Sequence, residues 1–116
     1  MSKNFLSINE QLSMGQFLMS NNKKSKAIFQ DDGNFVVYAV SNSPHKAVWA
    51  TGTNGSDAVR VIMQADGNLV MYNQADQPKW SSGTYIKGTC NKCRVELTDG
   101  GKLELTRTVT ATVWSS

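Results

Sequence analysis

The chain is poor in the side chains that usually carry out chemistry. It has one histidine, His45, and two cysteines among 116 residues. No Ser–His–Asp set of distinctive spacing can be drawn, and there is no glycine-rich phosphate loop, so an enzyme is not indicated. The neighbouring carboxylates Asp31 and Asp32 could suggest glycosidase chemistry. As adjacent strand residues they face opposite ways and do not converge on one bond. Cys90 and Cys93 stand in Cys-Asn-Lys-Cys, a spacing found in zinc and redox sites. A structural zinc needs four ligands, and only His45 could join the pair. No βαβ pattern surrounds the motif, which leaves a local disulfide or two free thiols.

Long apolar runs are also missing. The N-terminal stretch Met-Ser-Lys-Asn-Phe-Leu-Ser-Ile-Asn-Glu holds no signal-peptide core. Nowhere does the chain approach the roughly 18 apolar residues of a membrane span. It is expected to be soluble, without membrane insertion. It would then be cytoplasmic, secreted by an unconventional route, or stripped of its leader. Charge is weak as well. The net charge is +3, and the densest cluster, Lys23, Lys24 and Lys26, reads as a solvated loop rather than a nucleic-acid face. No amphipathic helix is visible, which gives a membrane-active toxin no support. With 40% hydrophobic residues the chain is expected to fold, as one domain over residues 1–116.

What is present is repetition. Residues 29–38 read FQDDGNFVVY and residues 63–72 read MQADGNLVMY. Both contain Gln-x-Asp-Gly-Asn-x-Val-x-Tyr, with glutamines at 30 and 64. A weaker third copy, ELTDGGKLELT, runs from Glu96 to Thr106. Trp49, Trp80 and Trp114 follow the copies in turn, each trailed by small residues: Ala50-Thr51, Ser81-Ser82 and Ser115-Ser116. The units are rich in β-branched and aromatic residues. Thr108, Thr110 and Thr112 alternate with Val109, Ala111 and Val113, the period of a half-buried strand. Asp-Gly pairs at 32–33, 66–67 and 99–100 mark hairpins. Three such units predict an all-β fold of pseudo-threefold symmetry, with the tryptophans pointing into its core.

Each full copy also predicts a site. A three-residue loop, Asp32-Gly33-Asn34, would pair Asp31 with Phe35 and Gln30 with Val36. Gln30, Val36 and Tyr38 would then face outward, and Phe29, Phe35 and Val37 inward. The second copy would place Gln64, Val70 and Tyr72 outward, and Met63, Leu69 and Met71 inward. The outer patches combine amide, carboxylate and hydroxyl groups with one apolar spot, one carboxylate each and no cation. That set suits a neutral sugar, whose hydroxyls both donate and accept and whose C–H face is apolar. Asp-Gly-Asn alone is ordinary turn chemistry. The turn does not require the glutamine, the outward valine or the tyrosine, and all three recur at identical spacing.

With these residues in view, the chain resembles the snowdrop-type, or bulb-type, monocot mannose-binding lectins and the lily-type lectins of fish skin mucus. Their motif Gln-x-Asp-x-Asn-x-Val-x-Tyr is matched in full at Gln30–Tyr38 and Gln64–Tyr72. The likeness extends over most of the chain, including Leu12-Ser13-Met14-Gly15 and the three tryptophan segments. The resemblance implies a β-prism II of three four-stranded antiparallel sheets. It implies that Gln30, Asp32, Asn34 and Tyr38, and likewise Gln64, Asp66, Asn68 and Tyr72, hydrogen-bond mannose while Val36 and Val70 pack on its ring. Partners would be mannose-containing glycans on glycoproteins or microbial surfaces, in defence or agglutination, without metal or other cofactor. A fold-only relative without sugar binding is the alternative.

Two departures stand out. The third copy lacks Gln, Asn, Val and Tyr; with Leu97, Leu103 and Leu105 inward, its outer face would carry Glu96, Thr98, Lys102, Glu104 and Thr106, and no sugar site. The disulfide of the plant proteins is also missing, its positions being Gly33 and Val59 here. The C-terminal strand, about Arg107 to Val113, would expose an edge. It is expected to pair with, or exchange into, a second copy as a two-fold homodimer, as the resemblance also implies.

Overall fold

The computed structural model describes residues 3–41, 44–87, 90, 92–107 and 112–116. Within them lie twelve strands and no helix: β1 (Phe5–Ser7), β2 (Gln11–Ser13), β3 (Phe17–Met19), β4 (Ser25–Phe29), β5 (Phe35–Ala39), β6 (Lys46–Ala50), β7 (Ala58–Met63), β8 (Leu69–Asn73), β9 (Pro78–Ser81), β10 (Arg94–Leu97), β11 (Leu103–Thr106) and β12 (Thr112–Ser115). They form three four-stranded sheets in the orders β1-β10-β11-β12, β2-β7-β8-β9 and β3-β4-β5-β6. All pairings between neighbours are antiparallel. Among the described residues no helix is long and apolar enough to cross a membrane.

Each repeat supplies three consecutive strands of one sheet, because two turns suffice to fold an alternating segment back on itself. The fourth strand comes from elsewhere. β1, β2 and β3 follow one another at the N-terminus, yet each joins a different sheet, at the outer edge of β10, β7 and β4. Leu6, Leu12 and Leu18, spaced six apart, are buried on these three strands.

The inward triplets are as expected. Phe29, Phe35 and Val37, then Met63, Leu69 and Met71, then Leu97, Leu103 and Leu105 are all fully buried in one core. Each such side chain contributes roughly 1.5–3 kcal/mol of apolar transfer. The counterparts stand 34 residues apart at 29, 63 and 97, which fixes the alignment of the third copy. Across the ladder Trp49 opposes Val37, Trp80 opposes Met71 and Trp114 opposes Leu105. The three indoles meet edge to face, with centroids 5.6 to 5.9 Å apart, and pack against the core. Each pair adds about 0.5–1.5 kcal/mol beyond burial. A bulge follows each opposed pair, after Val37, Met71 and Leu105.

Two sequence expectations need correction. The hairpin loop is Asp31-Asp32-Gly33, not Asp32-Gly33-Asn34. Phe29 pairs with Phe35 and Ile28 with Val36, while the Gln30 amide donates to the Asn34 carbonyl at 2.8 Å. The reason is the glycine. A three-residue loop needs a left-handed residue at its third position, and Gly33 takes it with φ +86. The register moves by two, so the inner and outer faces survive the error. The C-terminal strand is likewise displaced: Arg107 lies in a bend, and β12 runs over Thr112–Ser115 so that Trp114 reaches Leu105. The alternation expected over residues 108–111 lies outside the described residues.

Candidate sugar-binding site

Gln30, Asp32, Asn34, Val36 and Tyr38 lie on and beside the turn of the β4–β5 hairpin, and Gln64, Asp66, Asn68, Val70 and Tyr72 on and beside that of β7–β8. In the first copy the Gln30 Nε2 donates to the Tyr38 hydroxyl. Asp32 Oδ1 accepts the Asn34 amide at 3.0 Å, an Asx turn that aims the carboxylate. The same bond joins Asp66 and Asn68 at 3.0 Å. The Gln64 amide is satisfied when its Oε1 accepts from the Tyr72 hydroxyl and its Nε2 donates to Asp66 at 3.1 and 3.2 Å.

Four residues that the motif did not single out complete the geometry. The loop after β6 folds back so that Thr51 Oγ1 and the Thr53 amide both donate to Asn34 Oδ1, at 3.1 Å each. Ser82 Oγ and the Thr84 amide do the same for Asn68 Oδ1, at 3.0 and 3.3 Å. Thr53 Oγ1 donates to the Gly33 carbonyl and Thr84 Oγ1 to that of Gly67, both at 2.6 Å. The repeated hydroxyl residues after each tryptophan were the sequence signal. The consequence is chemical. With both lone pairs of its oxygen used, each asparagine has only its Nδ2 left, and that atom is a donor. Asp32 Oδ2, without a protein partner among the described residues, is a charged acceptor. Each patch thus presents an acceptor, a donor and a tyrosine hydroxyl.

The valines differ from expectation. Val36 and Val70 lie on the outer face but are only 3% exposed. Each sits on an interior strand of its sheet, Val36 between Ile28 and Ala50 and Val70 between Ile62 and Ser81. They form the apolar base of the patch rather than a free apolar spot. The second patch is also not free of cations. The Arg60 guanidinium stands 5.0 Å from the Tyr72 ring centroid and is paired with Asp76 at 2.8 Å.

The third hairpin keeps the turn and loses the chemistry. The Thr98 amide donates to Lys102 O and the Gly101 amide to Thr98 O, as in the other copies. Thr98, Gly100, Lys102, Glu104 and Thr106 occupy the five motif positions, and Arg94 pairs with the neighbouring Glu96 at 2.9 Å. Of the two states open to Cys90 and Cys93, the structure shows the disulfide. Among the described residues no three His, Cys, Asp or Glu side chains group to hold a metal.

No family model matches the chain. It is similar to the B-type lectin plumieribetin of Scorpaena plumieri, 50% identical over 97% of this chain and 94% of that one. Among solved structures it is similar to the mannose-specific agglutinin from snowdrop (Galanthus nivalis) bulbs complexed with methyl-α-D-mannoside. The two share 33% identity over 91% of each chain, with a TM-score of 0.78. It is also similar to the monomeric monocot mannose-binding lectins of Gastrodia elata: 28% identity, 98% of this chain, 96% of that one, TM-score 0.82.

Proposed function

The chain belongs to the bulb-type, or B-type, lectin family, and from that premise we propose that it binds mannose at two sites, the first and second hairpins. The observation that carries the reading is the duplicated arrangement of an Asx-turn carboxylate, an asparagine left only as donor, and a Gln–Tyr pair. A pyranose hydroxyl can donate to the aspartate and accept from the asparagine at once. The tyrosine hydroxyl takes a further hydroxyl, and the valine supports the ring from below. The snowdrop agglutinin, which carries a mannoside, supports the choice of sugar.

A single exposed sugar makes few contacts, so affinity for the monosaccharide is expected near millimolar, about −4 kcal/mol. Useful binding to glycoproteins or microbial surfaces, in defence or agglutination, then rests on several sites engaging one branched glycan. Calorimetry with methyl α-mannoside is expected to give two sites per chain, unchanged by EDTA, because each site offers one carboxylate where calcium needs six to eight oxygens. Three equivalent sites would refute the dead third hairpin. Loss of binding in EDTA, restored by calcium, would refute the direct hydrogen-bond mechanism.

We propose in addition that β12 pairs through its free edge with a second copy. β12 already closes its own sheet by pairing with β11, so the partner would add to a complete prism. Light scattering at micromolar concentration is expected to return twice the chain mass. The monomer mass alone, as befits the proteins from Gastrodia elata, would sink the dimer.

A further inference from the structure

The two sites share one scaffold, and one of the places where they differ is a position at the rim. In the first, Thr53 Oγ1 donates to Gly33 O and the Gly55 amide to Asp32 O, at 2.6 and 2.7 Å. In the second, Thr84 Oγ1 donates to Gly67 O and the Ile86 amide to Asp66 O, at the same distances. The residue between these anchors is Asn54 in the first site and Tyr85 in the second. Tyr85 is 64% exposed, the most exposed of the large hydrophobic side chains among the described residues. Nothing in the fold needs an aromatic there, since Asn54 serves the first loop equally well.

The loop that carries Tyr85 is also held further along. The Cys90 amide donates to Ala65 O at 2.6 Å, next to Asp66. The Cys90–Cys93 disulfide lies against the same turn, with Cys93 Sγ 3.7 Å from where a Cβ on Gly67 would stand. The first site has no such bridge behind its loop among the described residues. Tyr85 is thus a solvent-facing ring whose two chain neighbours are tied to the sugar-binding turn. A tyrosine has only two side-chain torsions to immobilise on contact, and its ring offers a broad face to C–H groups.

We propose that Tyr85 is a platform for a second pyranose ring, so that the second site prefers a mannose disaccharide while the first takes a single mannose. This rests on the two-site reading above. The ring adds contact without touching the primary sugar, so it changes disaccharide binding alone.

The test isolates the second site with Asp32→Asn and titrates methyl α-mannoside and the α1→2, α1→3 and α1→6 mannose disaccharides. At least one disaccharide is expected to bind roughly fivefold tighter than the monosaccharide, the gain of one aromatic contact. Adding Tyr85→Ala is expected to remove that preference and leave monosaccharide affinity within about twofold, whereas Tyr85→Phe, which keeps the ring, preserves it. In the Asp66→Asn background, Asn54→Tyr is expected to confer a preference on the first site. A disaccharide preference that survives Tyr85→Ala, or none to begin with in a protein that binds the monosaccharide, overturns the platform alone. A parent that binds no mannoside overturns the two-site reading and the platform with it.

Discussion

The double variant Asp32→Asn with Asp66→Asn is expected to stay folded and to lose mannose binding altogether. In each hairpin one aspartate oxygen accepts the amide two residues on, at 3.0 Å. Asparagine keeps an oxygen for that bond, so the turn persists. It replaces the second oxygen with an amide that donates, where the sugar hydroxyl needs an acceptor. Near Asp66 it also sets a donor against Gln64 Nε2, which lies 3.1 to 3.2 Å from the carboxylate oxygens. Hydrogen bonds to a charged group contribute about 1.5–3 kcal/mol. Against a total of roughly 4 kcal/mol for a millimolar sugar, that loss puts binding beyond detection. Asp32→Asn alone should halve the calorimetric stoichiometry. Tyr38→Phe removes one neutral hydroxyl, about 1 kcal/mol, and should weaken the first site less than Asp32→Ala. Thermal unfolding run alongside separates binding from folding. Retention of the folded double variant on mannose-agarose like the parent would show that these hairpins are not the sites.

Gly33→Ala is expected to destabilise the protein by about 2–4 kcal/mol, and Gly67→Ala by about 1–2. Both glycines are left-handed, at φ +86 and +83. Both variants therefore carry the same backbone cost, about 1–2 kcal/mol for a residue with a Cβ. Their surroundings differ. A Cβ on Gly33 would stand 2.6 Å from the backbone oxygen of Ser56 and 2.7 Å from its Oγ, so the loop must shift. A Cβ on Gly67 would stand 3.3 Å from the Thr84 oxygen, a contact that small adjustment relieves. The loop displaced in Gly33→Ala is the one whose Gly55 amide bonds Asp32 O and whose Thr53 orients Asn34. The first sugar site should therefore fail in a chain that still folds, while the second keeps its affinity. Denaturant unfolding and calorimetry on the two variants read both effects, and equal destabilisation would mean that the Ser56 contact does not constrain the turn.

The two hairpins were legible because their information is contiguous. Strand side chains alternate, so Phe29, Phe35 and Val37 had to share a face opposite Gln30 and Tyr38, whatever the details of the loop. The exact register differs from the sequence expectation, since Asp31 and Asp32 both suit a turn and the expected loop puts its third position at Asn34, one residue later than the left-handed Gly33 that fills it. The loop residues Thr51, Thr53, Ser82 and Thr84 escaped notice as site residues. A small hydroxyl in a loop has no local pattern, and its role appears only when the loop folds back onto an asparagine 16 or so residues earlier.

The sequence by itself determined the threefold repetition, the all-β class, which residues face the core, which two hairpins hold the full Gln-x-Asp-x-Asn-x-Val-x-Tyr motif and which one lacks it. These follow from backbone geometry over a few consecutive residues, where the alternation of side chains and the needs of a turn leave little choice. Only the tertiary structure decided that β1, β2 and β3 each complete a different sheet, and that Val36 and Val70 are covered. It alone placed Arg60 against Tyr72, and Tyr85 rather than Asn54 at the rim of the second site. Those outcomes depend on residues distant in the chain meeting across a shared core or a returning loop. That meeting is set by packing and closure of the whole prism, which no stretch of sequence contains.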